Sequence, residues 1–124
     1  MQLSSIVVVV VVGLVLGLVH AQDKYTTKWD NVDLDQILGN QRLRDNYVKC
    51  LLDQGSCTPD GSELKRVLPE ALQTDCAKCN EKQKQGGEKT IRYFIKNDIK
   101  TYDTLAAKFD SAGSFKSRHP ELFV

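Results

Sequence analysis

The sequence predicts an all-α protein, a single domain of five or six short amphipathic helices joined by brief connections. Three observations lead there. Apolar residues recur at helical spacing in successive stretches, and no stretch shows the sustained alternation of a strand. Turn and capping residues punctuate those stretches at intervals suited to short helices. All four cysteines fall within residues 50–79, spaced C-x6-C-x18-C-x2-C around one strongly amphipathic segment. A chain of 124 residues fits one domain.

The first 21 residues read as a signal peptide rather than part of that domain. Residues 6–19 are an almost unbroken run of valine, leucine and isoleucine, interrupted only by Gly13 and Gly17. Val19-His20-Ala21 follows, a suitable peptidase site, and cleavage is expected after Ala21. The run is shorter than the roughly 20 residues a membrane span needs, so no stable membrane insertion is expected. The domain then occupies residues 22–124, and a secreted monomer is expected. Four cysteines in a short secreted chain point to structural disulfides, and their spacing leaves all three pairings open. A redox role for Cys76-Ala77-Lys78-Cys79 wants a βαβ context that is missing. A four-cysteine zinc site wants two short knuckles, and six residues is long for one.

The stretches follow in order. Residues 23–30 form a polar lead-in whose rings, Tyr25 and Trp29, are placed to fold back on the body. Asp33 caps a short first helix carrying Leu34, Ile37 and Leu38, which Gly39-Asn40 ends. The second helix spans residues 41–53, with Leu43, Tyr47, Cys50 and Leu51 on one face. Residues 58–61, Thr-Pro-Asp-Gly, read as a turn, and Ser62 as the cap of the third helix. Its stripe, Leu64, Val67, Leu68, Ala71 and Leu72, is interrupted at Pro69, where a kink or loosening is expected. Asp75 is the expected cap of a fourth helix over residues 76–96, with a weak point at Gly86-Gly87 and an apolar face of Ile91, Phe94 and Ile95. Thr101 is the expected cap of a fifth, bearing Tyr102, Leu105, Ala106 and Phe109. Gly113 breaks the pattern, and the tail has residues for one more short turn.

Composition and motifs argue against most activities. The 17 basic and 16 acidic residues nearly cancel without a block of one sign, which excludes the basic face that nucleic acid requires. His20 departs with the signal peptide, leaving His119 alone near the C-terminus. No phosphate-binding glycine loop or nucleophile elbow is present. An enzyme is therefore not expected, nor a cofactor or metal. The aromatic residues Tyr25, Trp29, Tyr47, Phe94 and Tyr102 lie on or near apolar faces. They read either as core or as the wall of a small-molecule pocket, because a buried tyrosine still needs a hydroxyl partner. Asp30, beside Trp29, could add one polar contact.

The cysteine spacing, with YTTKWDNVDLDQIL at residues 25–38, NYVKCLLDQGSCTPDGSELKRVLPEAL at 46–72, TDCAKCNEKQK at 74–84 and IRYFIKN at 91–97, resembles the insect chemosensory proteins, the OS-D-like or pherokine family. The resemblance runs from the start of the domain to about Asp110. It implies a compact globule of about six helices around an apolar channel and disulfides between neighbours, Cys50–Cys57 and Cys76–Cys79. It implies a non-catalytic carrier of small hydrophobic ligands: long-chain fatty acids, alcohols, esters or semiochemicals. By matching positions, Trp29, Asp30, Tyr47, Leu64, Leu68 and Tyr102 would line the channel. Two departures stand out. The family usually has tyrosine where this chain has Trp29 and tryptophan where it has Tyr102, and the tail SAGSFKSRHPELFV is not the usual basic ending. The alternative is a secreted interaction or signalling protein, acting in development or immunity, with a closed core.

One prediction concerns the leader. Protein secreted from insect cells should begin at Gln22, read by intact mass and N-terminal sequencing; a mature chain still carrying residues 1–21 would refute the assigned cleavage.

Overall fold

Capping side chains open five of the seven elements among the described residues. The computed structural model describes residues 24–124; the expected signal peptide lies outside them. Helix α1 is Leu34–Gly39, capped by Asp33, whose carboxylate accepts the Gln36 N–H at 3.0 Å. Asn40 ends α1 and at once caps α2, Gln41–Leu51, by accepting the Leu43 N–H. Helix α3 is Pro59–Gln73 and α4 is Glu81–Asn97. Asp98 ends α4 and caps α5, Ile99–Phe109. Gly113, at φ +70°, turns the chain into the short α6, Ser114–Arg118, and a 3-10 turn, Pro120–Phe123, completes it. No strand occurs among the described residues.

Four boundaries differ from the sequence expectation. The second helix stops at Leu51, where Asp53 takes a left-handed φ of 61°. The third begins at Pro59 rather than after Ser62. Thr58 is its cap, accepting the Gly61 N–H, and proline suits the first helical turn because its missing N–H would be unpaired there anyway. The fourth starts at Glu81, not Cys76, because Asn80 and Gln83 form a reciprocal capping box. It then runs unbroken through Gly86-Gly87. The fifth is capped by Asp98 instead of Thr101. Helix α3 is likewise continuous across Pro69, so the disturbance there is one missing backbone donor, the partner the Lys65 carbonyl would have had.

Both disulfides join neighbours, Cys50–Cys57 and Cys76–Cys79, as the resemblance implied. The core is a cluster of Leu38, Phe94 and Tyr102, with Leu34, Val48, Ile91, Ile95 and Phe123 among the half-buried residues against it. It joins α1, α4 and α5, while α3 contacts α2, α5 and α6. Among the described residues eight apolar side chains are buried, and no polar one. The rest of the apolar stripes, including Leu43, Val67, Leu68, Leu72 and Leu105, stay half-exposed.

Two glycines give opposite predictions. A Cβ at buried Gly61 would meet Cys50 Sγ and Thr58 Oγ1, each at 3.2 Å; one at Gly87 would meet nothing within 4 Å. Gly61→Val should destabilise by about 1–3 kcal/mol through overpacking. Gly87→Ala should stabilise by about 0.5–1 kcal/mol through helix propensity. Chemical denaturation of both variants reads the signs directly.

Candidate functional site

Tyr47, on α2, faces the start of α3. Its hydroxyl donates to Asp60 Oδ2 at 2.6 Å, and its ring lies beside Gly61. Burial and then the Asp60 carboxylate push the Tyr47 phenol up. Burial works to raise Asp60 as well, but hydrogen bonds from Thr58, Tyr47 and backbone N–H groups hold it below its ordinary range. A tyrosine that satisfies its hydroxyl at a helix N-terminus keeps its ring free for apolar contact.

Tyr102, on α5, is buried in the core cluster and meets Phe123 edge-on, ring centroids 5.2 Å apart. Its hydroxyl has no hydrogen-bond partner among the described residues, and burial, then Asp110 and Asp103, push it up. It borders an open depression of about 280 Å³ with Ala106, Ala107 and Lys116 among its walls. Leu68 is half-buried on α3, whereas Leu64 is 40% exposed. Tyr47, Leu68 and Tyr102 thus sit on three helices linked through α3.

Trp29 and Asp30 belong to a different place. Asp30 accepts from Asn80 Nδ2 at 2.7 Å and from Gln83 Nε2 at 2.9 Å, so both its oxygens are engaged by the capping box of α4. Its visible work is to fasten the lead-in. Trp29 is half-buried, with Lys28 Nζ 5.0 Å from its ring. Tyr25 donates its N–H to the Lys78 carbonyl and its hydroxyl to Glu70, and burial with that contact pushes its phenol up to about 12.

One cluster was not anticipated. His119 Nε2 lies 2.7 Å from Asp75 Oδ1, and Nδ1 lies 3.3 Å from Glu121. Arg118 donates to the same Asp75 oxygen and to the Leu72 carbonyl. Asp75 was expected to cap a helix; it instead takes φ 53°, just before the Cys76–Cys79 bridge, and receives the tail. The contact spans 44 residues, which no spacing rule could reveal. All four cysteine sulfurs are in disulfides, and no group of three metal-ligating side chains occurs among the described residues. No described helix is long and apolar enough to cross a membrane.

The model of the insect pheromone-binding family A10/OS-D matches residues 25–117. The chain belongs to this A10/OS-D family. Among its similar relatives is ejaculatory bulb-specific protein 3 of Drosophila melanogaster, 55% identical over 108 residues, covering 87% of this chain and 84% of that protein. Putative odorant-binding protein A10 of the same fly is 46% identical over 101 residues, covering 82% of this chain and 65% of that protein. A solved structure, a chemosensory protein in complex with bromo-dodecanol, is 42% identical with a TM-score of 0.76, over 79% of this chain and 98% of that one.

The tail contact has a pH signature. The Asp75 hydrogen bond raises His119 above its ordinary 6.5 against the opposing effect of burial, with Glu121 adding to the rise. His119, and then Arg118, lower Asp75 below 3.8. The histidine's contribution is complete below its unfolded value and is lost as pH rises through the folded one; the aspartate's is present above its unfolded value and lost as pH falls through the folded one. The stability difference between wild type and His119→Asn should therefore be largest between about pH 4 and 6 and shrink toward pH 8, measured by thermal melts across that range.

Proposed function

We propose that this chain is a secreted, non-catalytic carrier of small hydrophobic ligands, with long-chain alcohols, acids and esters as its substrate class. The observation that supports this most is the bromo-dodecanol complex of a neighbour sharing 42% identity and most of the fold. The chain's own packing agrees with it. Apolar side chains on α2, α3 and α5 remain half-exposed and the buried cluster is small, so an alkyl chain has uncovered surface to bury. In this reading Tyr47, Leu68 and Tyr102 line the ligand space. Leu64 joins them if α3 shifts inward, and Trp29 and Asp30 shape its lead-in end. No catalytic constellation is needed, because binding rests on burial.

A twelve-carbon chain offers roughly 9 kcal/mol of gross apolar burial at about 0.8 kcal/mol per methylene. If association and ordering leave about 7–8 kcal/mol of that, the dissociation constant is about 1–10 µM. Dodecanol should displace a fluorescent apolar probe with a constant of about 1–10 µM. If no alcohol, acid or ester of eight to sixteen carbons displaces the probe or binds calorimetrically, the carrier reading fails, and the closed-core signalling alternative takes its place.

A further inference from the structure

The buried cluster is covered from several sides, and one part of its cover differs from the others. Phe94 and Tyr102 are carried on helices of 17 and 11 residues. Phe123 is carried on a four-residue 3-10 turn without a side-chain cap, one residue before the exposed Val124. Its ring is half-buried, meets Tyr102 edge-on, and has Lys116 Nζ 5.1 Å from its centroid. Few polar ties hold the turn: the Leu122 N–H bonds the His119 carbonyl, Glu121 lies 3.3 Å from His119 Nδ1, and the Asp75 contacts lie upstream of the turn at Arg118 and His119.

Tyr102 is common to three environments: the cluster with Leu38 and Phe94, the contact with Phe123, and the open depression beside Ala106, Ala107 and Lys116. A ring that leaves Tyr102 bares apolar surface lying between the depression and the cluster. A bound alkyl chain gains from that surface what the phenylalanine gives up. The exchange is close to neutral, because one apolar group replaces another.

We propose that Phe123 occupies part of the ligand space in the free protein and thereby sets the length of chain that is bound. The inference rests on the carrier reading above. A short chain fits beside the ring and gains fully from each carbon. A longer chain must evict the ring, so its last carbons add little.

The test is a titration of straight-chain alcohols from 1-octanol to 1-hexadecanol against wild type, Phe123→Ala and Phe123→Leu. In wild type, affinity should rise about fourfold per methylene and then level off. In Phe123→Ala the levelling should move out by about three methylenes or more, and hexadecanol should bind at least about tenfold more tightly than to wild type, given that fourfold step. Phe123→Leu, which keeps most of the volume, should stay near the wild-type profile. A second readout uses unmodified protein: the Tyr102–Phe123 ring-to-ring NOE should be present in free protein, persist with octanol and vanish with hexadecanol. Identical levelling in wild type and Phe123→Ala, or an NOE that survives saturation with hexadecanol, overturns the proposal and leaves the carrier reading intact. If none of the alcohols binds any of the three proteins, the carrier reading fails and this inference with it.

Discussion

Both ends of the domain are fastened to one small knuckle, the turn closed by Cys76–Cys79. Asp75 and Cys76 both adopt left-handed φ values, 53° and 62°, which L side chains visit at a cost. The bridge and the hydrogen bond from the Cys79 N–H to the Cys76 carbonyl close the turn around them. From it the Lys78 carbonyl takes the Tyr25 N–H and the Ala77 carbonyl takes Lys24, which anchors the lead-in. Asp75 takes Arg118 and His119, which anchors the tail. A bridge this short removes little entropy from the unfolded chain. Its larger effect is geometric, since it presents two carbonyls and one carboxylate to two segments far apart in sequence.

The other bridge organises the wall of the interior. Cys50 is 2% exposed and lies against Gly61 at the first turn of α3, where Tyr47 and Asp60 also meet. Nearby, Lys108 reaches from α5 to the Leu51 carbonyl and, together with Lys65 of α3, to Asp53. Polar contacts therefore hold the rim of α2, α3 and α5, while the apolar faces beneath remain half-covered. A domain held this way has a modest core, and a ligand that fills the interior adds its binding energy to the folded state.

Much of this was legible in the chain, and the rest was not for identifiable reasons. The apolar stripes of α2, α4 and α5 each contribute a buried residue because one dominant face faces the interior. The stripe of α3 was equally clear, yet Leu64 is exposed: periodicity identifies a face but not how fully neighbours cover it. Residues 58–61 combine turn composition with a proline that also opens a helix, and the Thr58 cap decided between them. Gly86-Gly87 weakens a helix in isolation. Here Asn80 starts that helix firmly and Gly86 packs near Leu34, so tertiary contact outweighs propensity. Asp30 was placed by its aromatic neighbour, whereas its partners Asn80 and Gln83 lie 50 and 53 residues away. The Asp75–His119 contact was hidden in the same way.

Asn40 and Asp98 each finish one helix and begin another, which bears on how the chain assembles. The pairs α1–α2 and α4–α5 turn on a single residue, so each can form as a local unit before distant parts meet. The disulfide partners are separated by 7 and 3 positions, so each bridge closes within its own neighbourhood. Oxidation can therefore run ahead of docking without committing remote segments to each other. With neighbour pairing, no covalent link spans the interior, and an error in how the helix pairs come together can be undone by separation alone, with no bond to break.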